Sequence, residues 1–497
     1  MKIPVALGSR VATVTVPEGS LVLRPPEPPD ALADVGAAVR DAVRFPLGGE
    51  PLEALVNPRG RATIVVEHPS LPIPSAVHDP RQEALAATAD ELARLGVRSE
   101  RQTLVVAGGL ERRAGRRELE RLVSPEFARH FRGRVVVHDV EDPELVEVGG
   151  ANGTPLRVNR ALVEADVVVS LTAAETVRHG GPASLLAAGG PDALRAAGGA
   201  SLLEAAGSQT WELALAVERA LAARVPVLGV SLVLDHPRLG GALRGYPHQH
   251  GPVTRVARSP LGLAFRALPD VARRRVLHSL PLELRSTAAY AGPPSVAHAD
   301  ALLRAIEARS TTLEEPLDAI CIGIAATTPH LPRETPNPLL VAHHGLALAL
   351  SLWRNRFPVA DGGTAILAHH FHRGFTHGQQ PYRTFFRAFR DRAEAAGLIA
   401  AEAEAAIDER ALAAYRAGRS CHPRLPFADW EACTPALERL GAVVIAGCRD
   451  ATAARRLGFV PTHGIGAALE MAQGRAGRAP RIGFVIAPPY FPLQVGA

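Results

Sequence analysis

Histidine is the residue of this 497-residue chain with the most chemistry to offer, and several of its 19 copies are grouped. His369, His370, His372 and His377 follow a short apolar run. His248 and His250 are spaced as an HxH, and His343 and His344 are adjacent. Neutral imidazoles suit nickel, zinc, copper and iron, but such groups on loops are often solvated surface. On a helix, His343 and His344 point about 100° apart and cannot easily serve one site. His179 opens the glycine-rich stretch His179-Gly180-Gly181-Pro182-Ala183. Gly108-Gly109-Leu110-Glu111-Arg112 is a second such stretch. Glu111 is a general acid or base if its surroundings raise its pKa. Arg112 is a bidentate donor to a carboxylate or phosphate. A Gly-Gly turn entering a helix presents amides to an anion, but turns of this kind recur throughout α/β folds without function. In Glu67-His68-Pro69-Ser70 the prolines that follow fix an extended path. That path either presents His68 and Ser70 to a ligand or is a rigid turn.

Absences narrow the chemistry. Lys2 is the only lysine, so a phosphate-binding GxxxxGK[ST] loop and any lysine-based step in the body of the chain are excluded. Neither HExxH nor GxSxG occurs, which removes the zincin and serine-hydrolase signatures. Cys321, Cys421, Cys433 and Cys448 are widely spaced and form no CxxC, so neither a disulfide scaffold nor a zinc ribbon is indicated. The net charge of +5 is spread along the chain and aromatics are 4%. No basic stripe with interleaved aromatics is present, which argues against nucleic acid as a partner. No apolar run approaches the ~18–20 residues of a membrane helix, and Ile3–Leu7 is too short for a signal-peptide core. The expected protein is soluble and cytoplasmic, with no membrane partner.

The elements that must position these residues alternate. Ala62–Val66, Thr103–Ala107, Val135–Val137, Asp166–Leu171 and Pro226–Leu234 read as strands. Between them Arg81–Leu95, Arg116–Leu122 and Glu212–Ala223 read as helices. A second set starts near Leu317: strands at Leu317–Ile324, Thr364–Ala368, Gly441–Gly447 and Ile482–Ala487, a long apolar helix at Leu339–Trp353, and a helical stretch over 391–416. The segment before about Pro51 is Pro-rich and predicts irregular chain, and Arg238–Pro260 predicts a long loop. The fold class is therefore α/β: two α/β domains, residues 1–300 and 301–497, with mixed or parallel sheets and a cleft between them. Ligands in such folds sit at the carboxyl ends of strands. The loops to watch are 67–75, 108–115, 172–183, 325–338 and 369–380.

Several stretches, in order, resemble the nickel-pincer lactate racemase family. They are Pro51-Leu52-Glu53-Ala54-Leu55-Val56 before a strand, Val137-His138-Asp139, Gly153-Thr154-Pro155, Val158-Asn159-Arg160, Glu164-Ala165-Asp166, Asn337-Pro338, Asp361-Gly362-Gly363-Thr364, and the closing Leu457-Gly458-Phe459 and Ala467–Ala472. The resemblance implies two α/β domains and a 2-hydroxy-acid racemase or epimerase, an isomerase. It also implies a nickel-pincer mononucleotide, tethered by a lysine and completed by a histidine ligand. Carried onto this sequence, it places Glu111, His68 and His179 at the chemistry, with His179 as the metal ligand. It places Ser70, Gly109, Arg112, Gly180, Gly181, Asn337 and His343 around the cofactor. The sequence departs from the family pattern at two telling points. Ala183 stands where the tether lysine belongs, and Glu111 where a base histidine belongs. Two functions follow. One is an active racemase or epimerase of a small 2-hydroxy acid with an untethered site. The other is a non-catalytic homologue that binds a small acid, a nucleotide-like ligand or a sister subunit, as a homo-oligomer or in a hetero-assembly.

Overall fold

The computed structural model describes residues 2–67, 78–196, 198–249, 251–326, 335–391, 395–477 and 480–496. Its two principal sheets carry the α/β architecture. The first has six strands in the order Ser286–Gly292, Val227–Leu234, Val167–Ala173, Ala62–Glu67, Gln102–Ala107, Arg134–Val137. All neighbours are parallel except the antiparallel pair formed by Ser286–Gly292. Ala62–Glu67 shows why such strands read as continuous apolar runs: both faces are covered. Ile64 and Val66 pack into one layer of the core and Val65 into the layer on the opposite face, as the two-residue period of a strand requires.

The order also fixes where a ligand can sit. From Ala62–Glu67 the chain first winds one way, to Gln102–Ala107, and later returns to place Val167–Ala173 on the other side. The carboxyl ends of Ala62–Glu67 and Val167–Ala173 therefore flank a topological switch point, where neighbouring loops diverge and leave a crevice.

The second sheet runs Val460–Thr462, Ala442–Ala446, Val359–Ala368, Leu317–Ala325, Lys2–Gly8, Arg10–Thr15, with Ile482–Val485 also paired to Leu317–Ala325. Here the amino-terminal expectation needs correcting. Lys2–Gly8 and Arg10–Thr15 form an antiparallel hairpin, and Lys2–Gly8 joins Leu317–Ala325 in parallel. Val35–Arg44 is a helix capped by Asp34, whose side chain accepts from the Ala37 amide. Between them the proline-rich stretch 23–34 has no regular element, because four prolines in five residues remove the amide donors that regular elements need. The strands Lys2–Gly8, Arg10–Thr15 and Leu21–Val22 thus pair within the second sheet, and the residue-300 boundary falls inside the helix Pro294–Arg309.

Three further differences have local causes. The segment expected as a loop over 238–260 holds the two-residue strand Arg238–Leu239 and the helix Gly251–Arg258, with Pro260–Ala267 and Asp270–His278 following. Elements this short show no readable periodicity. The helical stretch over 391–416 contains two helices, Ala395–Ala406 and Glu409–Arg416, and Asp408 caps the second by accepting from the Arg410 and Ala411 amides. The predicted helix at 339–353 is α-helical over Pro338–Ala342, then widens to a π-turn over His343–Leu348. Gly345 lies in that turn, and a Cβ there would stand 2.4 Å from the Leu367 side chain. The turn therefore packs directly on the strand Val359–Ala368. Short π segments inside helices recur at functional sites.

Candidate active site

A cleft of about 140 Å³ opens at the switch point. Its lining comes from both halves of the chain. The first sheet contributes Glu67 at the end of its strand, and the loop after Gln102–Ala107 contributes Gly109 and Glu111. The glycine-rich loop and the helix Pro182–Ala187 contribute Arg178, His179 and Ala183. The second half contributes His343 and Asp429.

Glu67 is the last residue of its strand, and its Oε2 accepts from the Gly180 amide at 2.6 Å. Loss of hydration pushes its carboxyl up to about 8, and the nearby carboxylates of Glu175 and Glu111 push the same way. The Gly180 amide and Arg81 oppose the rise without cancelling it. Glu67 is thus a carboxylic acid at neutral pH, a state suited to proton donation. Beneath it lies a buried charge cluster. Arg81 binds Asp79 in bidentate fashion at 2.9 and 2.7 Å and approaches Glu175 at 3.7 Å.

Facing these groups, His343 on the π-turn places Nε2 3.5 Å from Asp429 Oδ1. Asp429 is itself held by Tyr382, whose hydroxyl donates to Oδ2 at 2.7 Å. The imidazole is therefore oriented by a carboxylate that is oriented by a phenol. Burial lowers the pKa of the Arg178 guanidinium, while Asp429 and Glu431 favour its charge. Its side chain makes no hydrogen bond or ion pair among the described residues, though it lines the cleft. A half-buried cation facing a small cleft suits a carboxylate ligand.

The glycine loop is built around His298. Its Nε2 lies 2.9 Å from the Thr176 carbonyl oxygen and its Nδ1 3.3 Å from Ser231 Oγ. Burial lowers its pKa to about 4, so it is neutral. Gly180 and Gly181 have φ of +90° and +53°, and a Cβ on either would stand within 2.5 Å of the His298 side chain. That is why both positions are glycine.

The sequence-predicted residues divide accordingly. Glu111, His179, Gly109 and His343 do meet in one cleft, beside Ala183. The Gly180, Gly181 and Gly109 amides are committed to Glu67, Thr172 and the Ala187 carbonyl, so they are not open to an anion. Arg112 turns away, donating to Glu118 at 2.7 Å and to the Gly418 carbonyl at 3.2 Å. Asn337 is a buried helix cap accepting from the Leu339 and Leu340 amides. His68 and Ser70 lie outside the described residues. None of His369, His370, His372 and His377 lines the cleft with His179. His369 instead packs against Gly8 and accepts from the Phe371 amide. Among the described residues no group of three or more His, Cys, Asp or Glu could hold a metal ion, and no helix is long and apolar enough to cross a membrane.

Sequence reasoning missed Glu67, Arg178, Asp429 and Tyr382. Glu67 had a signal: a carboxylate ending an otherwise apolar buried strand. Asp429 and Tyr382 had none, because only the tertiary fold brings them to His343.

The comparisons with known proteins point one way. Residues 7–177 match the family model of the lactate racemase N-terminal domain. The lactate racemase apoprotein from Thermoanaerobacterium thermosaccharolyticum is similar in fold over 98% of both chains, with 16% identity and a TM-score of 0.59. A protein from Thermotoga maritima is similar over 94% of this chain and 99% of its own, with 12% identity and a TM-score of 0.51. A search of curated proteins gives no match. The chain thus resembles the lactate racemase family and has its fold.

Proposed function

We propose that the protein binds a small 2-hydroxy acid in this cleft and inverts its C2 centre by proton transfer, as a relative of the racemases. The observation that carries the reading is that one cleft gathers a cation and two proton-transfer groups from different halves of the chain. These are Arg178, Glu67 and the Asp429-oriented His343. The cleft's size agrees: about 140 Å³ is below the roughly 300–1,000 Å³ of drug-sized sites.

The tethered cofactor that the family resemblance implies does not fit these residues. Ala183 is buried at the tether position and offers no amine. Lys2, the only lysine, is in the amino-terminal hairpin. The hollow of the glycine turn is filled by His298. No step is therefore routed through that group.

The chain's own residues support a simpler sequence. Arg178 pairs with the substrate carboxylate and stabilises charge that develops on it. His343, held by Asp429, takes the C2 proton. Protonated Glu67 delivers a proton to the other face, and the reverse reaction exchanges the two roles. Atoms balance, and no co-reactant is consumed.

The test is incubation of the purified protein with D-lactate and a panel of 2-hydroxy acids in D2O, read by chiral chromatography and mass spectrometry. The expected result is inversion with one deuterium at C2, lost in Glu67→Gln and in His343→Gln. Inversion without deuterium would mean that hydrogen moves as hydride, and the two-group scheme would be wrong. Ala183 favours a second reading, a non-catalytic acid-binding homologue. No inversion, with carboxylate binding that depends on Arg178, would establish that reading instead.

A further inference from the structure

We propose a second ligand site, for a phosphate monoester, in a cavity walled by the helices Gln380–Asp391 and Glu409–Arg416 and the chain that follows them. It encloses about 420 Å³ and shares no lining residue with the cleft. This volume lies within the roughly 300–1,000 Å³ of small-molecule sites.

The lining is cationic. Arg410, Arg419 and His377 contribute to it, and the side chains of Arg410 and Arg419 make no hydrogen bond or ion pair among the described residues. Asp408 is the one carboxylate among the described residues of the lining, and its Oδ1 is engaged by the Arg410 and Ala411 amides as a helix cap. Ser420 supplies an independent sign of a missing partner. It is 2% exposed and its hydroxyl has no hydrogen bond among the described residues. A buried hydroxyl left unpaired is costly, and proteins seldom retain one without a partner.

The wall is also held in place before any ligand arrives. Arg113 donates to the Arg416 carbonyl at 2.6 Å, Arg112 to the Gly418 carbonyl at 3.2 Å, and the His422 amide to the Leu110 carbonyl at 2.9 Å. Arg419 and Ser420 lie within this clamped segment. Two guanidinium forks and a hydroxyl around one concavity match the three oxygens of a phosphate monoester better than a single carboxylate. The surplus volume has room for the organic part.

Calorimetric titration of the intact protein with ribose 5-phosphate, and separately with inorganic phosphate, tests this. One saturable site is expected, with ribose 5-phosphate the tighter ligand. The double variant R410A/R419A should weaken it by at least about tenfold, the loss of one charge-assisted contact or more. Ser420→Ala should weaken it less. Both arginines are exposed, so the double variant should keep the wild-type melting temperature. Absence of saturable heat, or equal binding by the double variant, would overturn the proposal. Phosphate binding lost in Arg178→Ala but kept in R410A/R419A would assign the anion to the cleft and also overturn it. Racemase activity plays no part in this readout, so the site stands or falls apart from the function proposed above.

Discussion

Replacing Glu67 by glutamine probes the least ordinary group in the cleft. Glutamine keeps the shape and can still accept from the Gly180 amide, but it cannot ionise. In the folded protein the Glu67 carboxyl titrates near 8 against a reference of 4.5. Between those values the native state holds a proton that the unfolded chain has released. Stability must therefore fall as pH rises through this window and level off above it. The slope assignable to one such group is about 1.4 kcal/mol per pH unit. Over the whole window the ceiling is roughly 4–5 kcal/mol, reduced by whatever water reaches the half-buried side chain. Urea unfolding of wild type and Glu67→Gln at half-unit steps from pH 5 to pH 9 measures the difference directly. Wild type should lose stability relative to the variant across pH 5–8, and the variant should be the more stable at pH 9. Difference infrared spectra should show a protonated carboxyl band in wild type alone, disappearing with a midpoint near 8. Parallel stability curves, or a midpoint near 4.5, would refute the claim that burial holds this carboxyl neutral.

Arg178→Ala should weaken binding of small carboxylates to the cleft by about tenfold or more, read by titration with D-lactate. Asp429→Asn should lower kcat by about a hundredfold with little change in KM, since it disorients His343 without touching the carboxylate. An unchanged kcat would remove Asp429 from a positioning role. Arg81→Ala should destabilise by about 3 kcal/mol or more, because it leaves Asp79 buried without its bidentate cation. Wild-type unfolding of that variant would show the cluster to be solvated.

The first half of the fold was readable because its strands are short apolar runs bounded by helices with ordinary amphipathic spacing. Ala62–Glu67, Gln102–Ala107 and Val227–Leu234 fall within a residue or two of their expected positions. The amino-terminal hairpin was not readable. Lys2–Gly8 and Arg10–Thr15 are strands because Lys2–Gly8 pairs with Leu317–Ala325, some 300 residues later, and no local pattern encodes such a partner. The π-turn at His343 was hidden for a related reason. Its sequence is a good helix, and the Gly345 in the turn packs closely on Leu367, a contact no local pattern encodes.

The glycine loop shows how the surrounding fold, rather than the motif, sets what a turn's glycines do. The resemblance placed Gly180 and Gly181 around the cofactor and Ala183 where the tether lysine belongs. In the structure the two glycines are required for another reason. They let His298 enter the turn, and the turn in turn aims the Gly180 amide at Glu67. That hydrogen bond is the main influence lowering the Glu67 pKa, and without it burial would carry the carboxyl higher still. The loop therefore couples a neutral buried histidine on one side to the acid of the cleft on the other. Gly181→Ala separates the two accounts. A Cβ there would stand 2.3 Å from His298 Cβ, at a φ of +53°. If the turn positions Glu67, the variant should lose about 2 kcal/mol of stability. The infrared midpoint of Glu67 should also move upward as the Gly180 contact lengthens. If the glycines are idle remnants of a tether, the loop will relax around the new methyl group and the Glu67 midpoint will stay where it was.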